Sequence, residues 1–335
     1  MKVFVHYEPH DFAGTFEGVR LRKTIKGACE AARLFWVDHP QDGVAVAHFI
    51  SPDDLALLRQ QKEAGVPTVV SAFYTEDDPH AHYLSGTRFP HLSKKGLLFL
   101  NEADMVLVPD ARMRELAKYE GVTAPIEVVP PAVRMNRFSK NTPEAKAFLR
   151  YFGIREEQNT VVSTGSYHDF KHLRLLKAVA AQCPDLEFYF FGTCHRADLL
   201  HFEAWLAKLR APKNLHLREI VQDDIYRSAL IHSMAYISCD DVRPDPVAPI
   251  EAFAAKTQVV ALAPSRYANP LLVEGQTARY FDTPEEMGVY LNALNLGTAE
   301  STIDSAYAVT KEHNLISLGK RLKTIYEALA SGENR

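Results

Sequence analysis

Short apolar runs alternate with longer amphipathic stretches along nearly the whole chain. The clearest instance spans 160–192: TVVST, then Gly165, a polar loop carrying Lys171, an amphipathic stretch over 173–182, Pro184-Asp185, and a second apolar run ending at Gly192. Apolar runs this short suit buried parallel strands, and a crossover this long predicts a helix, so the segment reads as a βαβ unit. The same alternation recurs upstream. Strands are predicted over 1–6, 43–49, 67–73, 103–108 and 126–129, the first of them entering at a sheet edge. Helices are predicted over 19–33, 52–64 with Ser51 as N-cap, 91–103, and from an Asp110 cap to Tyr119. Repeated βα units with helices of this length give a doubly wound parallel sheet.

After Val129 the prolines of PPAVRMNRFSKNTPE mark a linker over 131–145. A second set of βα units follows to Phe281, with helices over 284–296 and 301–331. The expected fold is α/β, with two Rossmann-like doubly wound domains facing across a cleft. Residues 1–135 form the first of these domains and 136–300 the second. Residues 301–335 form a C-terminal helix that can pack back on the N-terminal domain.

Composition narrows the class. A chain of 335 residues exceeds one ordinary core. With 47% hydrophobic and 24% charged residues it reads as soluble and globular, and a net charge of −4 argues against a dedicated nucleic-acid binder. Cys29, Cys183, Cys194 and Cys239 are scattered without metal spacing, as reduced thiols of a cytoplasmic protein would be. MKVFVHYE begins a strand, not a signal peptide. No apolar run approaches the ~20 residues that span a bilayer, so any membrane contact is expected to be peripheral.

Candidate chemistry lies where strands end, because parallel sheets gather ligands at their carboxyl edge. Gly165 lets a ligand approach the backbone, and Lys171 beyond it suits a phosphate; a solvated lysine at a helix start is the alternative. In YISCDDVRPDPVAPIEAFAAKTQVV, a strand ends in an acidic, proline-rich loop and a helix starts near Val247. Residues 246–249 can dock a diphosphate on the helix N-terminus. Glu251 can accept two hydrogen bonds from a ribose diol, or it merely complements its own helix dipole. Gly14 and Gly18 bracket Thr15 without forming GxGxxG, so that loop either approaches a phosphate or sugar or is an ordinary turn. His80 and His82 stand beside Glu76, Asp77 and Asp78, where a solvated polar loop is favoured over a metal site. Asp77-Asp78, Asp223-Asp224 and Asp240-Asp241 are not D-x-D, and no metal or cofactor is expected.

Gly165…Lys171, PDLEFYFFG and PIEAFA, preceded by VVSAFYTEDDP and ADMVLVPDARMRELAKYEGVTAPIEVVPPAV, resemble retaining glycosyltransferases of the GT-B fold, family 4. Within it, the likeness is closest to Firmicute synthases of diglucosyl- or galactosyl-glucosyl diacylglycerol. The resemblance covers nearly the whole chain. It implies transfer of a hexose from a UDP-sugar, with retention and without metal, to a glycolipid or glycan acceptor. It also implies that Lys171, Val247, Ala248 and Pro249 hold the diphosphate and Glu251 the ribose. Gly165, Ser166, Gly192, Gly14 and Thr15 then line the donor site. The family's first Glu of E-x7-E falls at Arg243, leaving the sugar to Asp245 or Asp241, with Asp245 and Lys171 as catalytic candidates. The phosphate-binding Arg falls at Ser166, and the family's His has no counterpart among Ala72, Phe73 and Tyr74. These departures leave a second option: a catalytically inactive GT-B protein that binds a glycan or a partner transferase.

Two stretches bear on membranes. VRLRKTIKGACEAARLF carries Arg20, Arg22, Lys23 and Lys26, and RFPHLSKKGLLFL carries Arg88, Lys94 and Lys95 beside Leu97, Leu98, Phe99 and Leu100. Basic and apolar groups together suit an anionic bilayer at the inner face of the plasma membrane; helices packed on a sheet with solvated lysines are the alternative. The acceptor is expected on loops 7–18 and 74–92.

Overall fold

The computed structural model describes residues 1–335 except 8–15, 51–53, 73–80, 84–89, 168–169, 194–205, 239–246, 263–268 and 333–335. The chain forms two compact units. One comprises Met1–Arg134, Val242–Val247 and Glu312–Arg335; the other comprises Met135–Asp241 and Ala248–Lys311.

In the first unit the order is β1 (Lys2–His6), α1 (Phe16–Ala31), β2 (Phe35–Val37), β3 (Val44–Phe49), α2 (Leu55–Glu63) and β4 (Thr68–Ser71). Then come β5 (Ala81–Tyr83), β6 (Pro90–Leu92), α3 (Lys94–Glu102), β7 (Met105–Val108), α4 (Ala111–Tyr119) and β8 (Ile126–Val128). The strands form a parallel six-stranded sheet, β2-β1-β3-β4-β7-β8, with β5 and β6 paired separately as an antiparallel hairpin. Helices cover both faces, which is why β4 and β7 are buried throughout and read as continuous apolar runs. Alternate residues feed separate cores: Val3, Val5 and Val46 face one, Phe4, Ala47 and Phe49 the other.

Several boundaries differ from expectation for local reasons. β1 is not an edge strand, because β2 pairs outside it; β2 has three residues and an exposed Phe35, too little pattern to read. α2 is capped by Asp54, whose carboxylate accepts from the Leu57 amide at 2.9 Å. α3 starts at Lys94 and not at 91, because the Ser93 hydroxyl accepts from the Gly96 amide while 90–92 pair with β5. Asp110 caps α4 as expected, accepting from Met113 at 2.9 Å.

The second unit runs through α5 (Ala147–Phe152), β9 (Thr160–Ser166), α6 (Phe170–Gln182), β10 (Glu187–Thr193), β11 (Leu215–Glu219), α7 (Asp223–His232) and β12 (Ser233–Ser238). It continues with α8 (Ala248–Ala255), β13 (Gln258–Leu262), β14 (Arg279–Phe281), α9 (Pro284–Asn295) and α10 (Ile303–Val309). Its sheet is again parallel and six-stranded, β11-β10-β9-β12-β13-β14. Phe188 and Phe190 of β10 join the core under α6 and α9. Tyr189 and Phe191 turn the other way and meet Phe148 edge-on, at 4.9 and 6.3 Å between ring centres.

The predicted helix over 301–331 is two helices. Asn314 interrupts it, accepting from the Ile316 and Ser317 amides to start α11 (Leu315–Ser331). α11 packs against α1 in the first unit. The approach is close: a Cβ on Gly319 would stand 2.3 Å from the Ala28 carbonyl oxygen. Tyr326 of α11 then reaches His48 of β3, its hydroxyl 2.7 Å from Nδ1, while Nε2 lies 2.8 Å from the Ser71 hydroxyl. Complete burial pushes the His48 pKa down to about 3, so the ring is neutral.

Candidate active site

The second sheet changes direction at its middle. From β9 the chain adds β10 and β11 on one side, then returns to place β12, β13 and β14 on the other. β9 and β12 are therefore neighbours, with β10 and β13 on their outer sides, so their carboxyl ends mark the topological switch point of the sheet. Everything that follows β9 and β12 is delivered there. Gly165 and Ser166 end β9, Lys171 opens α6, and Val247, Ala248, Pro249 and Glu251 lie at the start of α8.

Lys171 is not a loop residue. α6 begins at Phe170, so Lys171 sits exposed in its first turn. A cation there faces the positive end of the helix dipole, a mismatch of about 0.3–1 kcal/mol that an incoming anion reverses. The turn is held by its neighbour. His172 is 3% exposed, with Nε2 2.8 Å from the Ser163 hydroxyl of β9. That hydroxyl lies 2.6 Å from the Ile237 carbonyl of β12, which can only accept. Ser163 thus donates to Ile237 and accepts from His172, so Nε2 carries the imidazole proton. One chain of hydrogen bonds ties α6 to both strands of the switch point. Thr164 and Tyr236 join the same strands, with their hydroxyls 2.7 Å apart.

Glu251 is 6% exposed in a helix whose other seven residues, API and AFAA, are apolar or proline and buried. Gly192 pairs with Gly165 across β10 and β9. Its missing side chain makes room for an aromatic ring: a Cβ there would lie 2.4 Å from Phe190 and 2.8 Å from Tyr167. Tyr167 in turn donates to the Arg218 carbonyl at 2.7 Å.

Gly14, Thr15, Asp240, Asp241, Arg243 and Asp245 lie outside the described residues, as does the run 73–80, and the Ser166 side chain is not described. Among the described residues no group of three or more His, Cys, Asp or Glu side chains is placed to hold a metal ion, and no helix is long and apolar enough to cross a membrane. The basic residues of α1 are largely engaged: Arg20 is buried, and Arg22 and Lys26 both pair with Asp38. On α3, Lys94, Lys95 and Leu98 are exposed.

Sucrose-phosphate synthase from Thermosynechococcus elongatus superposes with a TM-score of 0.73 at 11% identity, covering 99% of each chain. Anabaena HepE, solved in complex with UDP and glucose, superposes at 0.71 with 12% identity, covering 98% of this chain and 100% of that one. The chain has the GT-B glycosyltransferase fold. In sequence, the processive diacylglycerol alpha-glucosyltransferase of Acholeplasma laidlawii is 19% identical over 308 residues, 90% of each chain. No family model matches this sequence.

Proposed function

We propose that this protein is a hexosyltransferase that moves a sugar from a UDP-hexose to a glycolipid or glycan acceptor, with retention of configuration and without a metal ion. The observation that carries this reading is that Lys171 and Glu251 lie in the first turns of the helices that follow β9 and β12, the two strands of the switch point of the second sheet. As the glycosidic bond breaks, negative charge develops on the leaving diphosphate. Lys171 and the amino end of α8 stabilise that charge where a metal ion otherwise would, and they do so most in the transition state. Glu251 accepts from the ribose diol, and Asp245 takes the sugar hydroxyls. The leaving diphosphate assists attack on the same face, which retains configuration.

The relatives support the donor and acceptor classes. HepE was solved with UDP and glucose, and the Acholeplasma relative is named for α-glucosyl transfer to diacylglycerol. An α-product from an α-linked sugar nucleotide is retention. The inactive alternative draws no support from these proteins. In Lys171→Ala, UDP release from UDP-glucose or UDP-galactose is expected to fall on the order of 10²-fold or more; unchanged turnover removes Lys171 from the mechanism.

A lipid acceptor places the protein in the cytoplasm, at the inner face of the plasma membrane. The exposed Lys94, Lys95 and Leu98 of α3 suit that surface better than α1, where Arg22 and Lys26 pair with Asp38 and Arg20 is buried. Flotation with anionic phosphatidylglycerol liposomes is expected to carry the protein upward, and less so in Lys94→Glu/Lys95→Glu; a protein left entirely at the bottom of the gradient contradicts the lipid surface.

A further inference from the structure

The first sheet has a switch point of its own. From β1 the chain adds β2 on one side, then crosses to place β3, β4, β7 and β8 on the other. β1 and β3 are parallel neighbours, and ligands of open α/β sheets gather at the carboxyl ends of such a pair. β1 ends there on His6, which pairs in register with Phe49 of β3. The His6 carbonyl accepts from the Ile50 amide at 3.0 Å, which fixes the end of the strand.

The strands of that sheet, β1, β2, β3, β4, β7 and β8, end on His6, Val37, Phe49, Ser71, Val108 and Val128. Two of these side chains are polar, and the Ser71 hydroxyl already serves His48. His6 shares a face with Phe4 and Phe49, its ring centre 5.7 and 5.3 Å from theirs. Phe49 in turn meets Phe99 at 5.7 Å, so a file of phenylalanine rings closes on an imidazole at the carboxyl edge. His6 is 6% exposed, the same as Glu251 in the second unit. A phenylalanine would close the file as well, whereas a histidine brings two ring nitrogens to the edge where ligands gather. A neutral imidazole has one donor and one acceptor, the complement of a hydroxyl, and no charge with which to select an anion.

We propose that His6 is an acceptor-binding residue: its imidazole, at the carboxyl end of β1, hydrogen-bonds the glycolipid hydroxyl that receives the hexose. This rests on the transferase reading above, and it gives the acceptor the switch point of the first sheet. As the new C1–O bond forms, the bond from C1 to the diphosphate breaks and the hydroxyl proton leaves on the diphosphate. His6 orients the hydroxyl and emerges unchanged.

The test separates transfer from donor handling in the full chain. The acceptor probes are diacylglycerol and glucosyl-diacylglycerol in detergent micelles, with UDP-glucose and UDP-galactose as donors. His6→Phe keeps the ring file and is expected to lower kcat/KM for the acceptor about tenfold or more. UDP affinity by calorimetry, and UDP release to water without acceptor, are expected to change less than about twofold. His6→Gln, which keeps a donor and an acceptor, is expected to recover most of the loss. His6→Leu stands in where the melting curve shows that His6→Phe does not fold. Transfer by His6→Phe at the parent's rate would mark His6 as a core ring only and overturn the role. So would an equal loss of transfer and of UDP affinity, or a parent that binds UDP and glycosylates neither probe. A parent that does not bind UDP at all fails the transferase reading itself, and this proposal falls with it.

Discussion

In the first sheet His48 commits both ring nitrogens, one to Tyr326 and one to Ser71. In the second unit Arg227 of α7 is also buried, yet leaves two nitrogens without a hydrogen-bond partner. Both are polar side chains in doubly wound α/β units, where a buried donor or acceptor left unmet is expensive. The satisfied one fastens a helix: Tyr326 belongs to α11, and the His48 bridge secures that helix to β3. The unsatisfied one lies on α7, which packs on β12. With both nitrogens bonded His48 is a fixed point of its unit, whereas Arg227 shares the Asp223 carboxylate with Arg137.

The largest effect expected from this contrast is acid sensitivity of the first unit. His48 has a folded pKa pushed down to about 3 from the ordinary 6.5. As pH falls below 6.5 the unfolded chain takes up a proton that the folded ring refuses. Stability present in full above 6.5 is thus lost as pH falls toward 3, at about 1.4 kcal/mol per pH unit for this one group. Urea midpoints measured from pH 8 to pH 4 are expected to fall more steeply in the parent than in His48→Gln. Parallel curves would show that His48 does not carry this load.

A smaller effect belongs to the second unit. His172 is saturated at Nε2 like His48, yet it holds the turn that presents Lys171. His172→Ala is expected to lower kcat about tenfold or more while changing UDP affinity little, because misplacing the ammonium harms the transition state above all. His172→Gln, which keeps an N–H for Ser163, is expected to recover part of the rate. An equal loss in affinity and kcat would instead mark His172 as a core residue of no special consequence for Lys171.

These contrasts also show what a sequence discloses. The β9–α6–β10 unit was legible because its apolar runs are brief and its helix periodic, and Asp110 was legible as a cap because its carboxylate precedes an amphipathic run. The brief β2 was not, since Phe35 is exposed and three residues carry no period. Asn314 hid inside a helical pattern that its own capping bonds interrupt. Lys171 and Glu251 were singled out from their places after strands. That the two strands preceding them are neighbours was not legible, because local pattern says where strands lie and not which ones pair. His172 could have been found: it shares the apolar face of Leu176 and Val179, where a polar residue must have a partner. Arg227 could not, since Ile225 to Ile231 are buried on every face of α7 and no stripe distinguishes it.

The central claim is that the carboxyl edge of β9 and β12 grips a diphosphate. A crystal grown with UDP measures this directly. The account predicts phosphate oxygens about 3 Å from the Lys171 ammonium and from the first-turn amides of α8, with ribose hydroxyls on Glu251. Nucleotide bound elsewhere, with Lys171 and Glu251 both in solvent or in protein contacts, would contradict it.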